Sequence, residues 1–373
     1  MHVISFPPTS NAKLDKTLAE IRQLIILPSY LSFDQRKHMY RQKYKEKLES
    51  DPITMEIDGE VIRFRHVDIF SLPNTQKIFK EALTEMRTVE DMKLIPKLLE
   101  GICVHAGRKL PWQELVRIVR KTSSNDCLYV ALECVAASKK TGFRLTRSEV
   151  VNDLLTALQK DVIDSEYSEE KTRKALAWSE RIIEMLEDPN HKPTSKEQLR
   201  WSRGFPLNRD PQVLATRLHL AAARAVKHNG GEDVDGKVAK YAEELTRLWT
   251  SEGGLLSLHE KKAYNDSDRM RYLRQPNQFL WYASPILSGL RLAAQVTDGP
   301  VAARLAEIST AVDAEVQWAL GEIAGEGKTA TNAEGQTLRG MAMYNTLFTA
   351  EEKVATEEAA SPEKTGETAT EQI

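Results

Sequence analysis

Gly142 closes a helical stretch in a setting that recurs 35 residues earlier at Gly107, and no other feature of the chain restricts its fold as much. At the same offset Ile95 pairs with Val130, Leu99 with Cys134, Ile102 with Ala137 and Leu110 with Leu145. Past the glycine, Leu115 pairs with Val150, Val116 with Val151 and Val119 with Leu154. The first helix of each pair starts near 75, 111 and 147. A period of this length built from two antiparallel helices is the mark of an α-solenoid. One hairpin buries only part of its apolar surface, and stacking a neighbour buries the rest in a shared core. The expected fold class is therefore all-α, an α-solenoid of antiparallel helix hairpins.

The apolar spacing predicts helices near 75–88, 91–106, 111–121, 125–140, 147–160 and 168–187. Boundary residues agree: Gly107 and Gly142 as C-terminal stops, Pro111 at a first helical position, and Thr146 with Glu149 as a capping box. Upstream, Leu14, Leu18, Ile21, Leu24 and Ile25 mark an amphipathic helix over 11–26 that Pro28 ends. Ser32 and Gln35 form a capping box for a helix over roughly 33–48. Then comes a β-hairpin. Asp58-Gly59 supplies the positive φ angles of a type I′ turn, which sets Met55 opposite Ile62 and Ile53 opposite Phe64 on one apolar face. A two-stranded sheet is marginal alone, so that face must lie on a helical body.

Residues 188–209 are a Pro-, Lys- and Arg-containing connection, too long for a tight helix–helix turn. Asp210-Pro211 opens a helix to about 228, closed by Gly230-Gly231, and further helices follow near 236–250, 278–297, 300–323 and 333–349. Pro285 leaves two starts open for the third of these, near 278 or at Ser284. The expected organisation is N-terminal helices plus hairpin over 1–72, helical repeats over 73–187, a linker over 188–209, a C-terminal helical module over 210–350 and a tail over 351–373. The 210–349 module no longer follows the 35-residue phase, which fits a cap on the open end of the array.

Charge is unevenly placed. The last 23 residues hold seven Glu and two Lys, a charge of −5, and almost no large apolar side chain. Such a segment cannot offset its ordering entropy by burial, so it reads as a disordered acidic tail. Taking that −5 from the whole-chain −2 leaves +3 on residues 1–350, mildly basic and below what a dedicated duplex-binding domain carries. The N-terminal residues lack the basic-then-apolar layout of a signal peptide and the Arg-rich bias of a transit peptide. No apolar run approaches the length of a membrane span.

The residues GFRLTRSEVVNDLLTALQK, 142–160, resemble the first helix of a pentatricopeptide repeat, and the resemblance extends over roughly 74–187. Helical hairpins of 35 residues also occur in tetratricopeptide families. Pentatricopeptide proteins are largely mitochondrial or chloroplast factors acting on RNA or in organellar ribosomes, so the resemblance implies a mitochondrial location and RNA or ribonucleoprotein partners. It also implies that Asn152 sits at the base-reading position of its repeat and Arg117 one repeat earlier. Arg117 is untypical there, and the phasing stops after 187, so a degenerate array used for ribosomal contacts fits better than a one-base-per-repeat code.

The sharpest local feature is RKHMYRQKYKEK, residues 36–47, in which six of twelve residues are Lys or Arg. On one continuous helix Lys37, Arg41 and Lys45 share a face, with Tyr40, Tyr44 and Lys47 beside them and Arg36 and Lys43 completing the stripe. Such a stripe suits phosphates, with tyrosines stacking on bases; it equally suits a solvated helix face whose tyrosines pack inward. A second basic and aromatic region spans 259–282, with Lys261, Lys262, Arg269, Arg271 and Arg274 flanking Tyr264, Tyr272, Phe279, Trp281 and Tyr282. It reads either as a nucleic-acid or partner surface or as a loop anchored by its aromatics. Lys192, Lys196, Arg200, Arg203 and Arg209 belong to the connection and read as linker.

Catalytic signatures are missing. Eight histidines are scattered without metal-ligand spacing, and no phosphate loop, dinucleotide fingerprint or hydrolase elbow occurs. The three cysteines, Cys103, Cys127 and Cys134, include no CxxC pair, and Cys127 and Cys134 read as small core residues. No cofactor or metal is expected. The sequence therefore points to a non-enzymatic helical-repeat protein of mitochondrial gene expression that binds RNA or ribosomal components. A protein–protein scaffold with no nucleic-acid role, in the cytoplasm, is the alternative.

Overall fold

A computed structural model describes residues 3–192, 205–267, 269–325 and 336–349. Most of these are helical, and the expected hairpin is the one sheet among them. The described residues gather into two compact units, one of residues 3–161 with 178–192 and 205–213, the other of residues 162–177 with 214–267, 269–325 and 336–349.

In the first unit, helix α1 (Ala12–Ile21) begins under a cap in which the Asn11 side chain accepts from the Leu14 N–H. It widens into a π-turn over Arg22–Ile26 and tightens into a 3₁₀ turn over Leu27–Tyr30 at Pro28. Helix α2 (Phe33–Tyr40) carries the expected capping box: Ser32 accepts from Gln35 N at 3.2 Å and the Gln35 side chain accepts from Ser32 N at 3.0 Å. Helix α3 follows at Lys45–Ser50.

Strands β1 (Ile53–Ile57) and β2 (Glu60–Phe64) pair with Ile53 opposite Phe64 and Met55 opposite Ile62, the register that the Asp58-Gly59 turn dictates. Both turn residues have positive φ, 52° and 76°. The apolar face does lie on helices: Ile57, Ile62 and Phe64 share a cluster with Val3, Leu27, Leu31 and Met39, and Tyr40, Ile53, Met55 and Val67 pack against it. The N-terminal segment is tied into this base. Arg22 donates from Nε to the Ile4 carbonyl at 2.9 Å and pairs through Nη2 with Glu60 at 2.7 Å.

Helices α4 (Thr75–Glu85), α5 (Val89–Met92) and α6 (Ile95–Leu99) come next, then a π-turn over Glu100–His105. α7 (Trp112–Ser123) packs on α4 and on α8 (Leu128–Ala136), and α9 (Ser138–Thr141) ends at Gly142. Pro111 caps α7 rather than opening it. The 35-residue offset is kept only in part, since Ala137, Leu110 and Leu115 are half-buried where Ile102, Leu145 and Val150 are buried. Gly107 and Gly142 have φ of 62° and 70°, while Ile95, Leu99, Val116 and Val119 are buried together with Val130, Cys134, Val151 and Leu154. Helices α10 (Ser148–Asp164), α11 (Glu169–Met185) and α12 (Pro211–His228) follow, the last capped where Asp210 accepts from Gln212 N.

The second unit is organised around α14 (Pro276–Val296), on which α13 (Lys237–Leu248), α15 (Gly299–Gly325) and α16 (Arg339–Tyr344) pack. The earlier of the two starts for α14 is the real one, since Pro285 lies inside it. A proline there removes one backbone donor. The helix is retained because its residues from Phe279 to Leu290 are nearly all buried. Gly289 has no room for a Cβ against the His219 backbone and side chain, so it sets the close approach of α12 and α14. The expected acidic tail lies outside the described residues, as do Lys196, Arg200 and Arg203 of the connection.

Candidate nucleic-acid interface

Residues 36–47 do not form one helix. α2 ends at Tyr40, Arg41 is extended at φ −90° and ψ 126°, and a 3₁₀ turn over Gln42–Tyr44 precedes α3. The cause is a tertiary hydrogen bond. Val67 N–H donates to the Met39 carbonyl at 3.1 Å, taking the acceptor that an unbroken helix would offer to residue 43. A tilted contact between the His38 and Tyr44 rings, with centroids 4.1 Å apart, accompanies the turn. The expectation that Lys37, Arg41 and Lys45 share one helix face is therefore corrected: they stand on α2, on the break and on α3.

The cations nevertheless remain on the surface. Lys37, Arg41, Lys43, Lys45 and Lys47 are all exposed. None has a carboxylate partner among the described residues. Lys37 lies over the Phe33 ring and Lys43 over the Tyr44 ring, at 5.9 Å and 4.6 Å from the centroids. Arg36 differs. Its guanidinium donates to the Ser29 and Leu31 carbonyls at 3.2 Å each, so it fastens the start of α2 to the preceding turn. Tyr40 packs on the cluster beneath, and burial raises its phenol pKa, whereas Tyr44 is half-buried against His38 and Lys43. Of the two tyrosines, Tyr44 alone has a ring placed among the cations.

Sequence reasoning missed two cations on the same base. Arg63 and Arg65 are exposed and lack a carboxylate partner among the described residues. The signal was available: alternation along β2 sends Ile62 and Phe64 inward and therefore Arg63 and Arg65 outward.

The residues suggested by the repeat behave otherwise. Asn152 is 3% exposed and donates to Ser148 Oγ at 3.1 Å, so its amide faces the interior of the unit and is not presented to a base. The helix period that places it four residues from Ser148 also places it among Val151, Leu155 and Thr156, all buried. Arg117 is half-exposed and lies 3.7 Å from the buried Glu114 carboxylate, an i,i+3 pair that restrains it.

In the 259–282 region the aromatics act as anchors. Tyr264 is buried, donating from its hydroxyl to the Leu255 carbonyl at 2.6 Å and accepting from His259 N at 3.1 Å. Tyr272 is 5% exposed and packs edge-on against Tyr282, with its hydroxyl on Met270 Sδ, which removes it as a stacking platform. Arg274 is exposed and bonded to the Asn265 side chain; Arg269 is half-buried; Arg271, Lys261 and Lys262 are exposed. This loop has cations at its rim but no available ring.

Cys127 and Cys134 are fully buried, and burial pushes the Cys134 thiol up to about 12, which fits core residues. Among the described residues no cluster of His, Cys, Asp and Glu is placed to hold a metal ion, and no helix is long and apolar enough to cross a membrane.

Comparison with known proteins gives two matches that agree. Residues 1–346 match the family model described as mitochondrial ribosomal protein mS27. A protein of Neurospora crassa named small ribosomal subunit protein mS27 is 38% identical over 338 residues, covering 86% of this chain and 85% of that protein.

Proposed function

This chain belongs to the mS27 family of mitochondrial ribosomal proteins, and we propose that it serves the small ribosomal subunit by binding ribosomal RNA through the basic surface of residues 36–47. The observation that carries the reading is the set of five exposed cations that form no ion pair with a carboxylate among the described residues. Structural cations are normally matched, as Arg22 is by Glu60 and Arg120 by Asp153. Five unmatched ones in an eleven-residue stretch repel one another, and phosphates relieve that repulsion by releasing counterions.

The role is one of contact and placement rather than catalysis. The strongly perturbed carboxyl and imidazole groups have structural partners: Asp91 with Ser10 and Thr88, Glu315 with the backbone of Leu256, His219 with Tyr167. Arg36 and Tyr40 hold the scaffold, while Lys37, Arg41, Lys43, Lys45 and Lys47 meet phosphate, Tyr44 stacks or packs at the edge, and Arg63 and Arg65 widen the surface. Arg117 in the first unit, and Arg269, Arg271 and Arg274 in the second, are lesser candidates, each within its own unit, that carry charge without an available ring.

The test is the salt dependence of binding to a transcript of the mitochondrial small-subunit ribosomal RNA. Replacing Lys37, Arg41, Lys45 and Lys47 by Gln should lower the slope of log K against log salt by about 3.6 for duplex phosphates or about 2.8 for a single strand. An unchanged slope would show that these side chains are ordinary surface.

A further inference from the structure

A second surface on the first unit has the opposite chemistry. The 3₁₀ turn Ile69–Ser71 holds Phe70 at 97% exposure and Ile69 at 56%. Isolated exposed apolar side chains are common and need no explanation. Here two neighbours stand together at the tip of a turn whose backbone is fixed. The Asp68 carboxylate accepts from Phe70 N at 3.0 Å, and the Ser71 hydroxyl donates to the Asp68 carbonyl at 2.7 Å. Ser71 N and Leu72 N close the turn on Asp68 and Ile69 at 3.1 and 3.2 Å. At its base Val67 is bonded to Met39 and packs on the buried cluster. Phe70 is thus presented outward by a braced turn. It is not left outside by a loose one, and little ordering entropy remains to be lost when a partner closes over it.

The charge around the turn selects the partner. Residues 67–76 contain a single charged side chain, Asp68, between the exposed Arg65 and Lys77, whereas 36–47 contain six cations and one Glu. An anionic carboxylate at the tip disfavours a phosphate backbone, and Ile69 has no π-face to stack on a base. An apolar pocket on a protein, with a neutral or basic rim, satisfies both side chains and the carboxylate together. We propose that the Asp68–Ser71 turn is a protein-docking anchor, with Phe70 inserted into an apolar pocket of a neighbouring protein of the same ribosomal subunit. The anchor depends on the chain residing in that subunit but not on residues 36–47 touching RNA.

The experiment places the photoreactive residue p-benzoylphenylalanine at position 70 of the full chain, assembled in mitochondria, and irradiates purified small subunits. One discrete adduct to a subunit protein is expected. With that protein then identified and purified, Phe70→Ser should weaken binding roughly ten- to hundredfold, the worth of one buried aromatic side chain. The melting temperature of the variant should stay unchanged, because Phe70 buries nothing within the chain. An adduct to ribosomal RNA, no adduct at all, or unweakened binding by Phe70→Ser would overturn the proposal. The variant with Lys37, Arg41, Lys45 and Lys47 replaced by Gln separates the two surfaces: it should lose RNA affinity while the adduct from position 70 persists.

Discussion

Removing the Asp91 carboxylate should release the N-terminal segment from the first unit. Asp91 is 2% exposed and accepts four hydrogen bonds, from Ser10 N at 3.0 Å, Ser10 Oγ at 2.6 Å, Arg87 N at 3.0 Å and Thr88 N at 3.0 Å. Burial alone would raise its pKa, but the donors from Ser10, Thr88 and Arg87 outweigh burial and hold the carboxyl well below the usual range. Hydrogen bonds to a charged group contribute ~1.5–3 kcal/mol each, and four on one carboxylate are not additive, so Asp91→Ala should cost about 3–4 kcal/mol. Urea unfolding gives the total. Hydrogen exchange at the Ser10, Arg87 and Thr88 amides gives the local share, with protection falling by roughly two to three powers of ten. The folded pKa lies below the unfolded one, so the stabilisation is complete at neutral pH and is lost as pH falls below about 4. Because Ser10 leads back to Val3 in the cluster under α2, the variant should also weaken the footing of the basic surface. A loss under about 1 kcal/mol with unchanged protection would refute the reasoning.

Three further outcomes follow from the same geometry. Gly101→Ala drives a Cβ into the Ile26 side chain, where the two π-turns of the first unit meet; it should cost about 1–3 kcal/mol in denaturant unfolding, and Ile26→Ala in the same chain should recover part of that. Ser32→Ala removes the accepting half of the α2 capping box and should cost about 1 kcal/mol, seen as faster exchange over residues 33–36. Burial raises the Glu315 carboxyl to about 7 although it accepts from the Leu256 backbone. Its folded pKa exceeds the unfolded value, so stability should fall as pH rises from about 4 towards 7, and Glu315→Gln should flatten that dependence in thermal unfolding at stepped pH.

Local chemistry was legible in the sequence, and tertiary capture was not. The Asp58-Gly59 turn, the Ser32/Gln35 box and Gly142 are each set by a few adjacent residues whose φ angles or side-chain oxygens have one use, and each occurs where expected. The break at Arg41 has no proline or glycine to announce it. It arises because Val67, 28 residues beyond Met39, takes that residue's carbonyl. Asn152 is the complementary case: the family pattern gives it a base-reading position, whereas its side chain is buried and bonded to Ser148, which the pattern does not announce. The helix through Pro285 was legible only in part, since the loss of one donor is outweighed by burial contributed from the rest of the second unit. For the candidate interface, residue type and exposure were readable, as Lys and Arg in a run with one Glu must remain wet. Which of those cations were engaged was not, and Arg36 differs from Lys37 only through carbonyls supplied by the preceding turn.

The central claim is that residues 36–47 lie on ribosomal RNA in the mitochondrial small subunit. Ultraviolet crosslinking of intact subunits, followed by mass-spectrometric mapping of the nucleotide-bearing peptides, tests it most directly. Adducts should fall on the peptides that contain Lys37, Arg41, Tyr44 and Lys45. Adducts confined to residues 259–282, or to none of this chain's peptides, would contradict it.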